Sequence, residues 1–261
     1  MTGWRLWGRW QIRTMTGAAL GLALASLPGP AGAYRPFDGT DAAVADPGEI
    51  EIEWQSVGAR RDSAGTTLIA PATVINIGFA KDWEAVFEGQ LETPLSSPGP
   101  TSLRAAGAFL KHVVRPGSLQ GETGASIAVE FGMLLPDTSN NSNVGASLAG
   151  IVSRRGEWGT VHLNGQAMLT RDRRADVFVG AILEGPAAWT VRPVAEVFYE
   201  NEVGKAETFS GLIGAIWRIN DKLSFDVGFR HALTNGRSVN ELRMGVTFGF
   251  PLRPRGNADR R

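Results

Sequence analysis

Residues 240–250, NELRMGVTFGF, decide how this chain is read. Leu242, Met244, Val246, Phe248 and Phe250 alternate with Glu241, Arg243, Gly245, Thr247 and Gly249, so a period of two is held over the whole stretch. Side chains alternate across a strand, and the stretch is therefore a β-strand with one apolar and one polar face. What the apolar face touches is decided by the rest of the chain.

The same period recurs upstream. Strands are predicted near residues 49–54, 66–79, 84–93, 102–114, 122–135, 144–154, 158–170, 175–185, 189–200 and 208–218, and from 223 onward. With 240–250 that makes twelve, an even number, and most of the segments approach the roughly 9 to 11 residues that cross a bilayer as a tilted strand. The fold class predicted is all-β, a transmembrane antiparallel up-and-down β-barrel over residues 49–250. The connections after strands 2, 6, 8 and 10 read as tight, and those after strands 1, 3, 5 and 11 as longer. This is the asymmetry of short periplasmic turns and longer external loops. The long connection at 115–121 and the short one at 171–174 break the parity. A soluble antiparallel barrel would also bury one face of each strand. It gives no reason for aromatics to gather at one rim, yet Trp83, Trp158, Trp189, Trp217, Phe248 and Phe250 all fall beside the short-turn end, as an interfacial belt requires.

Composition agrees. The chain has 261 residues, 43% hydrophobic and 20% charged, with 33 glycines and no cysteine. No apolar run reaches the roughly 20 residues of a membrane helix. The absence of cysteine excludes a disulfide framework and thiolate chemistry. Arg5, Arg9 and Arg13, an apolar core over 15–27 and Ala31-Gly32-Ala33 form a secretory signal over residues 1–33. Without those three arginines the mature chain is slightly acidic, which argues against nucleic acid as a partner. Residues 34–48 are turn-rich and without period, and read as a periplasmic lead-in. Pro251 and Pro254 stop the last strand, so 251–261, PLRPRGNADRR, reads as a flexible basic tail in the periplasm.

The end of the last strand resembles the C-terminal assembly signal of bacterial outer-membrane proteins, through Arg243, Gly245, Phe248 and Phe250. The resemblance implies the outer membrane as location, with its lipid and the barrel-assembly machinery as partners. Arg35-Pro36-Phe37, Asp41, Asp46-Pro47-Gly48 and Glu51, together with Pro71, Asn76, Gly78, Glu84 and Glu88, are similar to the outer-membrane β-barrel family of transporter or meta-pathway of phenol degradation proteins. That family usually shows two successive aspartates where this chain has Asp41-Ala42. The resemblance implies transport, with aromatic or other apolar compounds as cargo.

Apolar faces that meet lipid leave polar faces for the lumen. The inward charges are Glu51, Glu53, Glu84, Glu88, Glu130, Arg192, Glu196, Arg218, Asp226, Arg230, Glu241 and Arg243. Barrel closure places Arg243 within reach of Glu51 or Glu53 on one side and Asp226 on the other. Buried charges must be paired or solvated, so this set reads as a salt-bridge network filling the lumen and as a charged constriction that selects solutes. Catalysis has little support. His112, His162 and His231 show no metal-ligand spacing, no nucleophile elbow exists, and no cofactor or metal is implied. His162 beside Asn164 invites comparison with outer-membrane phospholipase, but Gln166 stands where a nearby serine is wanted. The function expected is a passive channel or transporter for small molecules. The alternative is a non-conducting scaffolding barrel with a lumen filled by its own side chains.

Overall fold

In the computed structural model residues 35–138 and 142–252 are described. The proposed signal at 1–33 and the tail beyond Leu252 lie outside them. Twelve strands close into one antiparallel barrel. They are β1 (Glu49–Asp62), β2 (Gly65–Ala80), β3 (Trp83–Pro94), β4 (Ser102–Arg115), β5 (Ser126–Leu134) and β6 (Gly145–Gly156). The second half is β7 (Gly159–Leu169), β8 (Ala175–Glu184), β9 (Val191–Glu202), β10 (Ala206–Asn220), β11 (Leu223–Thr234) and β12 (Arg237–Pro251). Each pairs with its sequence neighbours, and β12 pairs with β1 to close the ring. Closure removes every sheet edge, which a chain in lipid requires because hydrocarbon cannot satisfy an open row of backbone N–H and C=O groups.

The alternation sorts the two faces. Phe87, Val179, Ile213, Phe229 and Met244 stand exposed on the outside, while Glu84, His162, Glu196 and Arg243 are buried inside. Small residues and polar groups fill the interior, so its density comes from charge pairs and hydrogen bonds as well as from apolar contact.

The turn expected to be tight after β8 spans 185–190, while strand lengths explain the departures at the other end. The longer connections expected after strands 1 and 11 are two-residue turns, because β1 has 14 residues, β2 has 16 and β12 has 15, more than a bilayer needs. At 235–236 both Asn235 and Gly236 have positive φ (49° and 74°), the conformation a tight hairpin turn demands. Of the connections at the end opposite the termini, those at 95–101 and 135–144 are long. β12 also runs one residue further than expected, through Pro251, which pairs with Glu49 at the rim.

Residues 35–48 do not hang outside as a lead-in. From the start of β1 the chain turns back into the barrel, and Pro36, Asp41, Ala42, Ala43 and Ala45 are buried there. Residues 116–125, the long connection after β4, fold toward the same space. Ala42, Ala43, Leu119, Ala128 and Ile151 make a small apolar core inside the barrel. The cause is backbone hydrogen bonding. A segment without a strand partner must find acceptors for its backbone N–H groups, and the lumen wall supplies them.

Candidate functional site

The lumen and the segment inside it form the site. Glu196, on β9 and 2% exposed, accepts the N–H groups of Asp38 (2.9 Å) and Gly39 (2.7 Å), one on each carboxylate oxygen. Asn164 on β7 reads both sides of the next peptide, accepting from Thr40 N at 3.0 Å and donating to Thr40 O at 2.9 Å. Ala42 N donates to Ser153 Oγ at 2.9 Å and Ala45 N to Glu84 Oε2 at 2.7 Å. Gln120, from the connection after β4, donates to Ala42 O at 2.9 Å. The segment is thus a plug held mainly through its backbone.

Charge fixes its first residues. Arg243 donates from Nη1 to Pro36 O (2.8 Å), from Nη2 to Asp38 Oδ1 (2.9 Å) and from Nε to Glu241 Oε1 (2.8 Å). Arg230 reaches the other oxygen of Glu241 at 2.9 Å. Arg35 donates to Gln55 at 2.8 Å and lies 3.4 Å from Asp226. Lys111 Nζ lies 3.4 Å from Asp41 and 3.5 Å from Glu84. Such pairs replace hydration that the lumen cannot provide in full.

All twelve charged residues named from the sequence sit on the inward parity of their strands, but their partners differ from those expected. Arg243 does not pair with Glu51, Glu53 or Asp226, since Gly58 and Gly228 stand opposite it in the two ladders. Glu53 accepts from Asn76 at 3.1 Å, Arg192 pairs with Glu184 at 2.9 Å, and Asp226 is taken by Arg35. Glu51, Glu88, Glu130 and Arg218 make no ion pair or hydrogen bond among the described residues. Inward alternation would have found Lys111 and Glu184 from the sequence. Arg35, Asp38 and Asp41 carry no such signal.

The serine missing beside His162 comes from the neighbouring strand. Ser153 Oγ lies 2.7 Å from His162 Nδ1, and His162 Nε2 lies 3.0 Å from Glu184 Oε1. This is the connectivity of a proton relay, but Ser153 is 0% exposed and its oxygen already accepts from Ala42 N. No room remains beside it for a carbonyl substrate, and the relay secures the plug. Among the described residues no group of three or more His, Asp or Glu is arranged to hold a metal ion.

A cavity of about 210 Å3 remains between plug and wall, lined by Arg35, Phe37, Gln55, Val74, Glu88 and Arg243 among others. On the outside Trp83, Trp158, Trp189, Trp217, Phe248 and Phe250 all lie at the end that carries the termini, with Trp158 66% exposed. Phe248 and Phe250 stack at 6.4 Å, and Trp83 stacks on His112 at 4.2 Å.

No family model and no curated protein matches the sequence. The fold does match solved structures. A KdgM porin is 12% identical with a TM-score of 0.52, covering 77% of this chain and 99% of its own. An outer membrane channel from Pseudomonas putida F1 is 13% identical with a TM-score of 0.54, covering 82% and 100%. A NanC porin is 10% identical with a TM-score of 0.54, covering 76% and 98%. The chain therefore has the twelve-strand barrel fold found in outer-membrane channels.

Proposed function

We propose that the chain is an outer-membrane channel for small solutes, exported by its N-terminal signal, assembled through β12, and narrowed by residues 35–45. The observation that carries this reading is a closed barrel with an apolar exterior and an interior whose filling is held by polar contacts, which water can replace. Lipid-exposed residues such as Phe87, Ile213 and Phe229 make no sense on a barrel in water, where patches of this size mark a binding or membrane surface. The solute passes where the plug leaves room or moves aside, and the inward charges set which solutes enter.

The plug also supports a second reading, a non-conducting barrel that serves as a scaffold. Planar-bilayer recording of the purified mature chain separates the two. Stepwise conductance is expected, rising in frequency when the plug's anchors are removed. A barrel that inserts but stays silent, with and without those anchors, leaves the scaffold.

A further inference from the structure

We propose that the lumen cavity binds a small organic cation, a protonated amine on a compact apolar body, with the Glu88 carboxylate as counter-charge. The proposal rests on the channel reading for access of the solute.

Of the carboxylates lining the cavity, Asp38, Glu88 and Glu241, Glu88 alone stands without an ion pair among the described residues; Glu51 and Glu130 also lack one but do not line it. Glu241 holds Arg230 and Arg243, Asp38 holds Arg243, Asp226 holds Arg35, and Glu92 holds Arg60 at 2.8 Å. Glu88 projects into the cavity with no ion pair or hydrogen bond among the described residues. Its isolation follows from the local strand geometry. Gly107 stands opposite it on β4 and Val74 on β2, so neither ladder neighbour brings a charge. The pairing of β3 with β4 slips between Glu88 and Gln90, which removes the next ladder position as well. Glu88 Oε1 lies 2.9 Å from the point a Cβ on residue 107 would occupy, so the glycine makes the space the carboxylate uses.

The cations nearby are committed elsewhere. Arg35 is taken by Gln55 and Asp226, and Arg243 by Pro36, Asp38 and Glu241. Arg171 donates to the carbonyls of Leu135 (2.5 Å) and Ala106 (2.6 Å). An anionic solute would meet guanidinium groups already engaged by the wall and the plug, beside a carboxyl group that has no ion pair. A cation finds the reverse, in a partly enclosed space where an ion pair counts for more than in bulk water. Phe37 and Val74 supply apolar wall. At about 210 Å3 the cavity is smaller than the roughly 300–1,000 Å3 of drug-sized sites, so the occupant is a single small ring or a short chain.

The test uses three isosteres on the full mature chain in detergent at neutral pH: benzylammonium, benzyl alcohol and benzoate, titrated by calorimetry. Benzylammonium is expected to bind at least about tenfold tighter than either other compound, and Glu88→Gln to weaken it roughly tenfold, the scale of one charge-assisted contact. Equal binding of the three, no binding, or unchanged affinity in Glu88→Gln overturns the proposal. Heat-modifiable migration on gels confirms that the variant is folded, and the ranking of the isosteres on the native protein does not depend on it. Conductance is recorded in parallel. A conducting barrel that ignores benzylammonium defeats the cation site alone, whereas tight binding by a silent barrel defeats the channel reading alone.

Discussion

Replacing Arg243 with Met should release the plug without dissolving the barrel. Methionine keeps most of the stem's volume and removes all three donors. Two of these reach the plug, at Pro36 O and Asp38 Oδ1, and one reaches Glu241. Glu241 keeps Arg230 at 2.9 Å, so the wall stays paired. Asp38 loses its cation while its own N–H remains on Glu196, leaving two carboxylates close together. Hydrogen bonds to charged groups contribute about 1.5–3 kcal/mol each, and breaking a buried pair costs about 3–5 kcal/mol. The plug should therefore be held about 3–4 kcal/mol less tightly, which raises the released fraction by roughly two to three powers of ten. The twelve ladders are untouched, and heat-modifiable migration should be unchanged. Two measurements check the effect: open probability in single-channel recordings, and hydrogen exchange at residues 38–45, which should both rise. If the folded variant keeps native exchange at those amides and native opening, Arg243 is not the anchor and the reasoning fails.

Other outcomes follow from the same contacts. Ser153→Ala strands the Ala42 N–H and takes the serine from His162 Nδ1, whose Nε2 stays on Glu184, at a cost of about 1–3 kcal/mol, read as a lower denaturation midpoint in detergent. Neither protein should cleave a nitrophenyl ester, and turnover lost specifically in Ser153→Ala would show that the relay is catalytic. Gly78→Val puts a Cβ 2.2 Å from Asp46 O and 2.3 Å from Ala45 O, so the chain must shift where it leaves β1 for the lumen. Protease cleavage near residue 46 should accelerate severalfold while the barrel core resists. Deleting residues 253–261 should preserve insertion, whereas Phe250→Ala should lower the yield of assembled barrel, scored by heat-modifiable migration.

The barrel is legible in the sequence because its apolar outer face and its polar, plug-filled interior place opposite demands on successive residues. Most strands show that alternation, β4 less cleanly, and it also gives the inward placement of Glu53, Glu84, Glu196 and Glu241. The connection at Asn235-Gly236 is a two-residue turn and not the longer one expected, and that dipeptide is itself a strong signal for such a turn. Strand partners were harder to read, because a pairing register depends on where neighbouring hairpins turn. Gly58 and Gly228, not acids, flank Arg243, and this followed only once the ladders were laid side by side.

The plug was illegible for a different reason. Its contacts run through peptide N–H and C=O groups, which every residue carries, so no pattern of side chains in residues 35–48 betrays them. The signal lay on the other partner. Glu196, Asn164 and Ser153 are inward acceptors that no cation in the ladders satisfies, and a lumen with spare acceptors is one expecting donors. That kind of attachment also bears on how the barrel works. Each neutral hydrogen bond nets about 0.5–1.5 kcal/mol once water competes and each to a carboxylate, as at Glu196 and Glu84, about 1.5–3 kcal/mol, while ordering the chain costs about 1–2 kcal/mol per residue. Neither side dominates over a segment this short, and the small cluster of Ala42, Ala43 and Leu119 adds little apolar burial. The position of the plug is then decided by its few charged anchors, Arg243 on Asp38, Arg35 on Asp226 and Lys111 on Asp41. In the proposed channel, a solute that competes for those groups would move the plug, so the same side chains would govern selectivity and opening.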